Sequence, residues 1–253
     1  KESRATAPLQ ILTGEALAGL NAIQVADAVK HFSGVMVKDY GGIGGLKTVS
    51  VRSLGASHTT VSYDGIAVSD APNGKIDISR FSLDNVDMVS LSNGQSDQIF
   101  QPARQYASAA VLNITTMAPQ FKNNHNIKGK VQMKGGSFGL LNPSLFIAGK
   151  LTNKLSLTAS GEWMSAHGRY PYVMHYGEEA NDSTSIETRE NTDVKNLRTE
   201  VALYGADSVQ NGYIKGYYYQ SERGLPGATI FYNTQNFSNQ RICDRLAFVQ
   251  GHY

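Results

Sequence analysis

The stretch that decides the fold runs from residue 32 to residue 54 and reads FSGVMVKDYGGIGGLKTVSVRSL. A helical pattern ends at Phe32, and Gly34 follows where a helix stop is expected. Residues 35–37 and residues 48–52 each predict a short strand. A loop joins these strands, and its glycines are Gly41, Gly42, Gly44 and Gly45.

Further short segments complete a small mixed α/β unit around this stretch. Strands are predicted at residues 60–63, 86–91 and 110–115. Thr13 is expected to cap one short helical turn. Asn21, with Gln24 at capping-box spacing, is expected to cap a second helix. The apolar face of that helix should pack on the sheet, and it consists of Val25, Ala28, Val29 and Phe32.

The order of these motifs resembles the plug domain of TonB-dependent outer-membrane receptors. The resemblance covers residues 10–118 and rests on VADAV (25–29), GV (34–35), VRSLG (51–55), YDGI (63–66) and NITT (113–116). KDYGG (38–42) and FSLDN (81–85) bring it nearest to the receptors of Bacteroidetes-type bacteria. The resemblance implies that residues 1–118 form a plug domain and that the protein lies in the outer membrane of a Gram-negative cell.

The resemblance also implies active, energy-coupled transport. A scarce nutrient chelate of the iron–siderophore, haem or cobalamin class is expected to bind the extracellular loops and the plug apex. An energy-transducing inner-membrane protein of the TonB type is expected to pull on a segment before residue 1. The expected ligand contacts in the apical plug loops are Asp70, Asn73, Gln98 and Gln101.

Arg52 is expected, by the same resemblance, to hold the plug to a carboxylate on the barrel wall. A buried arginine without a carboxylate would be costly, so Arg52 should be paired. Glu162, Glu200 or a carboxylate outside this sequence would serve. Asn93 departs from the family pattern, since many members carry an arginine at that place.

The glycine loop has two open interpretations, a flexible turn or a functional hinge that moves or faces the ligand. The sequence also suggests a phosphate-binding loop, because Lys47 and Thr48 follow glycines. That motif requires glycine immediately before the lysine, and here Leu46 stands at that place. A nucleotide site is therefore not expected.

Composition limits the partners and the covalent chemistry of the chain. Its 253 residues carry a formal net charge of +2, which gives no reason to expect a nucleic-acid partner. The single cysteine, Cys243, excludes an internal disulfide. No run of about 18 apolar residues predicts a membrane-spanning helix, whereas barrel strands need only about 9–11 residues of alternating polarity.

Strict alternation of polarity begins beyond Pro119 and the polar residues that follow it. Apolar and polar residues alternate over residues 127–134, 155–164 and 196–203. Further strands are predicted at residues 142–148, 213–220 and 245–253. The apolar face is expected to touch lipid, and the polar face is expected to line an interior.

The connections between these strands alternate in length. Residues 151–154 and 205–212 predict short turns, whereas residues 166–193 and 221–241 predict long polar loops, as in outer-membrane barrels. Only the first connection, residues 135–140, is short on the side where a long loop is expected. Trp163, Tyr170 and Tyr172 lie near strand ends and fit an interfacial aromatic girdle, although ordinary aromatic packing would explain them equally well.

About six strands are visible, whereas plugged transporters close at roughly 22 strands. The predicted fold class is therefore an α+β plug domain followed by antiparallel strands of an incomplete transmembrane β-barrel. Residues 1–118 are assigned to the plug and residues 119–253 to the first part of the barrel.

Catalytic and metal-binding patterns are not found in the sequence. The six histidines are scattered, and no Cys or acidic residue completes a metal spacing. We therefore expect no enzyme activity, no metal and no cofactor. Two alternatives to transport stay open: a passive structural or adhesive outer-membrane barrel, and a soluble β-rich binding module or enzyme whose strands after Ile127 enclose a core.

Overall fold

A computed structural model describes residues 8–42, 44–69, 75–94, 102–121, 125–176, 183–207, 210–227 and 239–253. The chain divides into two compact units, Lys1–Gln120 and Phe121–Tyr253. Within the described ranges, no helix combines the length and the apolar character needed to cross a membrane.

The first unit contains a five-stranded sheet and a separate two-stranded sheet. The strands are β1 Leu9–Thr13, β2 Val35–Asp39, β3 Lys47–Val51, β4 Thr59–Tyr63, β5 Ile66–Val68, β6 Val86–Asn93 and β7 Ala110–Thr116. The larger sheet has the order β1-β6-β7-β4-β5, and only β4 and β7 run parallel. The five strands predicted here are confirmed within two residues at each end. The separation of the β2–β3 hairpin from the larger sheet was not predicted.

The described residues of the first unit also form three short α-helices, which are α1 Gly14–Gly19, α2 Val25–Val29 and α3 Ala103–Tyr106. The predicted apolar face of α2 is confirmed, because all four of its residues are buried. Thr13 stands at the N-cap position of α1, but its side chain makes no capping hydrogen bond.

The prediction that Asn21 caps α2 is wrong. The N-cap residue is Gln24, whose side chain makes no capping bond either. The backbone N–H of Val25 donates instead to the carbonyl of Phe81 at 3.2 Å. Asn21 adopts a left-handed conformation with φ of 48°. A main-chain acceptor from a distant segment therefore replaces the local cap.

The second unit is a six-stranded antiparallel sheet in the order β15-β14-β13-β10-β9-β8. Its strands are β8 Ile127–Gly136, β9 Leu140–Lys150, β10 Leu155–Ala166, β13 Val194–Ala206, β14 Asn211–Gly224 and β15 Arg241–His252. Each of the six predicted strands is found in this sheet. All are joined to their neighbours in sequential order apart from one insertion between β10 and β13.

That insertion corrects the prediction that residues 166–193 form one long polar loop. It contains a two-stranded hairpin of β11 Tyr170–Tyr176 and β12 Ser183–Arg189. Most described side chains of the hairpin are exposed on both faces, so no alternation of polarity marks it. Tyr170 and Tyr172 lie on this hairpin, outside the six-stranded sheet. Of the three predicted girdle residues, only Trp163 lies on the sheet, where it is exposed.

The six-stranded sheet has one buried polar face and one exposed apolar face, as the alternation predicts. In β13 the buried residues include Asn196, Arg198 and Glu200. The alternate positions Val201 and Leu203 are exposed. Equivalent exposed apolar residues on the neighbouring strands are Val131, Met133, Leu145, Ile147, Leu157, Ile214 and Val249.

Candidate functional site

The four predicted ligand contacts, Asp70, Asn73, Gln98 and Gln101, lie outside the described residues. Three other features of the chain bring polar side chains together. They are the glycine loop of the first unit, the buried face of the six-stranded sheet, and the end of that sheet where the long connections begin.

The glycine loop is closed by hydrogen bonds from the start of the loop to its end. The Asp39 carboxylate accepts from the backbone N–H groups of Gly41 and Gly42 at 3.0 and 2.8 Å. The backbone N–H of Tyr40 donates to the carbonyl of Leu46 at 3.0 Å. Four of its backbone groups are thus satisfied within the hairpin.

Close backbone packing explains the glycine at the end of the loop. A Cβ on Gly45 would lie 2.7 Å from the carbonyl carbon of Gly41, which is closer than real Cβ contacts allow. Gly42 and Gly44 have φ of 68° and 75°, a region that favours glycine. The loop is therefore a specific turn, although its role as a hinge stays a prediction.

Lys47 lies at the base of this loop and is almost fully buried, with 4% of its surface exposed. Its Nζ lies 3.5 Å from Asp39 Oδ2 and 3.6 Å from Asp27 Oδ1. Partial burial opposes the charge of Asp39, but hydrogen bonds from Gly41 and Gly42 and the nearby Lys47 outweigh it and lower its pKa. Because the ammonium already contacts two carboxylates, it is not presented to a phosphate.

Asp77 connects the same lysine to another part of the first unit. Its Oδ1 accepts from the backbone N–H groups of Lys47 and Ser79, each at 2.9 Å. Its Oδ2 lies 3.7 Å from the Nε of Arg80. Sequence reasoning missed this cluster. One available signal was the cross-strand pairing of Asp39 with Lys47, which a short hairpin would place opposite each other.

Arg52 follows β3 and adopts a left-handed conformation with φ of 50°. Its side chain is exposed, and its backbone N–H donates to the carbonyl of Gly34 at 2.8 Å. The two carboxylates suggested as its partners already contact cations of their own sheet. Glu162 lies 2.5 Å from Arg198, and Glu200 lies 3.0 Å from Lys215. The role of Arg52 in holding the plug stays a prediction.

The buried face of the six-stranded sheet carries a network of paired charges and amides. Glu162 Oε1 accepts from Arg198 Nη1 at 2.5 Å and from Asn142 Nδ2 at 2.9 Å. The guanidinium of Arg198 lies 5.5 Å from the centre of the Tyr219 ring. Buried charges of this kind are tolerated only when they are paired and hydrogen-bonded. The polar side chains of this face supply these partners to one another.

The same face extends to the edge strand β8 and carries cations there. Lys128 and Lys130 stand opposite Ala148 and Phe146 of β9, and Ala148 is buried. Both lysines therefore belong to the polar face of the sheet, although they are exposed on the edge strand. Positive side chains on this face favour anionic partners.

The ends of the long connections are joined by a clasp of charged and amide groups. Arg241 contacts Asp193 at 2.7 and 3.1 Å and Glu222 at 2.8 Å. The hydrogen bonds from Arg241 lower the pKa of Asp193 and outweigh its partial burial. Asn191 Nδ2 donates to the carbonyls of Leu225 and Gln240, each at 2.9 Å. The clasp thus joins the connection before β13 to the connection between β14 and β15.

In the parts of the chain that the structure describes, no group of three or more His, Cys, Asp or Glu side chains is placed to hold a metal ion.

Comparison with known proteins identifies the first unit. Residues 1–103 match the family model described as TonB-dependent Receptor Plug Domain. The match covers the hairpin, the glycine loop and most of the five-stranded sheet. It does not extend to the six-stranded sheet.

Solved structures match both units. The chain is 14% identical to the ferripyoverdine receptor of the Pseudomonas aeruginosa outer membrane, covering 97% of this chain and 31% of that one with a TM-score of 0.62. It is 17% identical to the ferric enterobactin receptor PfeA of Pseudomonas aeruginosa, covering 97% and 38% with a TM-score of 0.60. For the copper transporter OprC the identity is 17%, the coverage 87% and 31%, and the TM-score 0.64.

The chain thus spans about a third of the length of the receptors it resembles. At these identities the likeness shows the fold: a plug domain followed by antiparallel strands of the kind that build a receptor barrel. Residues 1–103 thus carry the plug domain of the TonB-dependent receptors, a family of outer-membrane transporters of Gram-negative bacteria that are not enzymes, and the chain as a whole shares the fold of such receptors.

Proposed function

We propose that this protein takes up a scarce nutrient chelate across the outer membrane in an energy-coupled process. The observation that carries the proposal is the combination of a TonB-dependent receptor plug domain with a sheet whose polar face is buried and whose apolar face is exposed. A plug held by polar contacts can be displaced by a modest force, whereas an apolar core resists such displacement.

The proposed substrate class is an iron–siderophore chelate, with haem and cobalamin as the neighbouring possibilities. Two of the similar structures bear the names of ferric siderophore receptors. The lysines on the polar face of β8 support an anionic chelate, because positive side chains along a lumen raise the local concentration of anions.

The proposed partner is a TonB-type inner-membrane protein that acts on a segment N-terminal to residue 1. Residues 1–118 are proposed as the plug that it moves and residues 119–253 as part of the barrel. Arg52 is proposed to hold the plug to a barrel carboxylate, and the glycine loop is proposed to move with the plug.

Uptake of radiolabelled ferric siderophores by a deletion strain tests the proposal. Complementation with the gene should restore uptake of at least one chelate among siderophore, haem and corrinoid sources. Collapse of the proton-motive force should abolish that uptake. Restored uptake that is insensitive to this collapse would favour a passive barrel instead.

The proposed ligand contacts are tested separately by chelate binding to the receptor in detergent. Replacing Asp70 and Asn73 together by alanine should weaken binding about tenfold or more, because each lost hydrogen bond costs about 0.5–1.5 kcal/mol. The neighbouring Lys75→Ala variant is the control. Equal affinities for the double variant and the control would remove these residues from the site.

A further inference from the structure

The β2–β3 hairpin has few main-chain links to the rest of the first unit. Its strands pair only with each other among the described residues. The backbone N–H of Lys47 reaches a side chain, Asp77, rather than a neighbouring strand. The position of the hairpin therefore depends on side-chain contacts.

The side chain of Lys47 supplies contacts to three segments at once. Its ammonium lies 3.6 Å from Asp27 on α2 and 3.5 Å from Asp39 on β2. The neighbours of the Gln24 amide favour the orientation in which Nε2 donates to the Ser79 carbonyl at 3.2 Å and Oε1 accepts from Lys47 at 2.5 Å. One ammonium thus joins the hairpin, the helix and the segment before the helix.

Burial is distributed unequally among these groups. The Lys47 side chain is 5% exposed, whereas those of Asp27 and Asp39 are 29% and 35% exposed. Asp27 also contacts Lys30, at 3.4 Å. The carboxylates keep contact with solvent when the lysine is lost, so the ammonium is the group whose removal breaks the junction.

The junction also reaches the glycine loop. Asp39 uses Oδ1 for the N–H groups of Gly41 and Gly42, and it presents Oδ2 to Lys47. The ammonium therefore fixes the carboxylate that organises the first turn of the loop. The geometry also explains why an almost fully buried lysine follows the glycine loop.

We propose that Lys47 is a latch that fastens the glycine loop and the β2–β3 hairpin to helix α2. When the latch is broken, the hairpin loosens as a unit while the five-stranded sheet keeps its structure. The proposal concerns the resting plug and does not depend on which nutrient, if any, is transported.

Hydrogen–deuterium exchange of the receptor in detergent, without ligand, tests the latch. Lys47→Met keeps the length of the side chain and removes its charge. Exchange should become about tenfold or more faster in peptides covering residues 39–46, since the charge-assisted contact between the ammonium and Asp39 is lost. Exchange in β6 and β7 should be unchanged. The control is Lys38→Met, which removes an exposed lysine from the same hairpin.

Two results would overturn the proposal: unchanged exchange in residues 39–46, or equal acceleration throughout the five-stranded sheet. If Lys47→Met does not assemble, Asp39→Asn provides the second variant, because its side chain is partly exposed. It should accelerate exchange in the same peptides, and an unaltered loop in that variant would also contradict the latch. Transport assays are independent of this measurement, so failure of either proposal is recognised separately.

Discussion

Strand β4 of the plug and strand β13 of the six-stranded sheet differ in which of their residues are buried. Every residue of β4 is buried, including Thr59, Thr60 and Ser62. In β13, buried residues alternate with exposed ones, and the exposed ones include Leu197, Val201 and Leu203. The plug strand thus belongs to a core with two covered faces, whereas β13 has one covered face.

The two units differ in the surroundings that their exposed faces contact. In β13 the covered face carries Arg198 and Glu200, and the open face is apolar, which inverts the usual pattern of a half-exposed sheet in water. An exposed apolar face of this extent marks a surface that meets lipid or another apolar partner. In an outer-membrane receptor that partner is the hydrocarbon of the bilayer.

The largest expected effect comes from breaking a buried charge pair on the polar face. Glu162→Leu would leave Arg198 without its carboxylate, and the side chains of both residues are 4% exposed. We expect the free energy of unfolding to fall by about 3–5 kcal/mol, because the buried guanidinium loses the carboxylate that offsets its charge. Urea titration of the receptor in lipid vesicles measures this change.

The double variant Glu162→Leu with Arg198→Met is the matched control, since it removes both charges. It should recover most of the lost stability. The exposed pair of Lys154 and Asp207 gives a second reference, because breaking it should cost less than about 1 kcal/mol. Equal effects at the buried and the exposed pair would show that the polar face is hydrated in the folded protein.

A smaller loss of stability is expected from truncating a leucine, and it should be larger in the plug core than on the lipid-facing surface. Leu112 of β7 is fully buried, whereas Leu203 of β13 is 36% exposed. We expect Leu112→Ala to destabilise the plug by about 2–5 kcal/mol through loss of contacts and a cavity. Leu203→Ala leaves no closed cavity and should have a clearly smaller effect. Urea-dependent amide exchange, followed separately in β7 and β13, distinguishes the two.

The free-energy cost of placing a charge on the apolar face should depend on how deep the substituted residue lies in the bilayer. Val201 lies near the middle of β13 and is 52% exposed, whereas Leu155 begins β10 at the end with short turns. Val201→Arg should cost about 2–4 kcal/mol, and Leu155→Arg about 0–1 kcal/mol. Folding titrations in phospholipid vesicles measure both. Two costs near zero would indicate that this face meets water.

The smallest effect should come from the clasp at the end of the sheet. Asp193 has a lowered pKa in the folded protein, so its contact with Arg241 adds stability above the unfolded pKa of about 3.9. That contribution disappears as the pH falls through the lower folded pKa. Asp193→Asn should therefore lower the melting temperature slightly at pH 7 and not at all well below pH 3. A difference that persists in acid would exclude the ionised carboxylate as its cause.

The sequence predicted those parts of the fold that leave a local periodicity. The alternation in residues 196–203 correctly assigned Val201 to the exposed face and Glu200 to the buried face, because successive side chains of a strand lie on opposite faces of the sheet. The motifs around Gly34 and Asp64 predicted where the plug strands begin and end, because a few neighbouring residues specify a turn.

Contacts between distant segments could not be predicted in the same way. Asn21 is a residue type that often caps helices, yet the N–H group at the start of α2 donates to the carbonyl of Phe81. The sequence drew attention to Lys47 only through the rejected phosphate-binding motif, and no local pattern indicated that Asp27, twenty positions earlier, lies beside its ammonium. The β11–β12 hairpin was missed because neither of its faces is buried.

Site-directed spin labelling along β13 tests the central claim most directly. In a Cys243→Ser background, single nitroxides at residues 197–203 are compared for collisions with oxygen and with a water-soluble nickel complex. If the apolar face meets lipid, positions 197, 201 and 203 should collide with oxygen and be protected from nickel, in alternation with positions 198, 200 and 202. Nickel collisions at 197, 201 and 203 as frequent as those of a label at the exposed Asp207 would contradict the account.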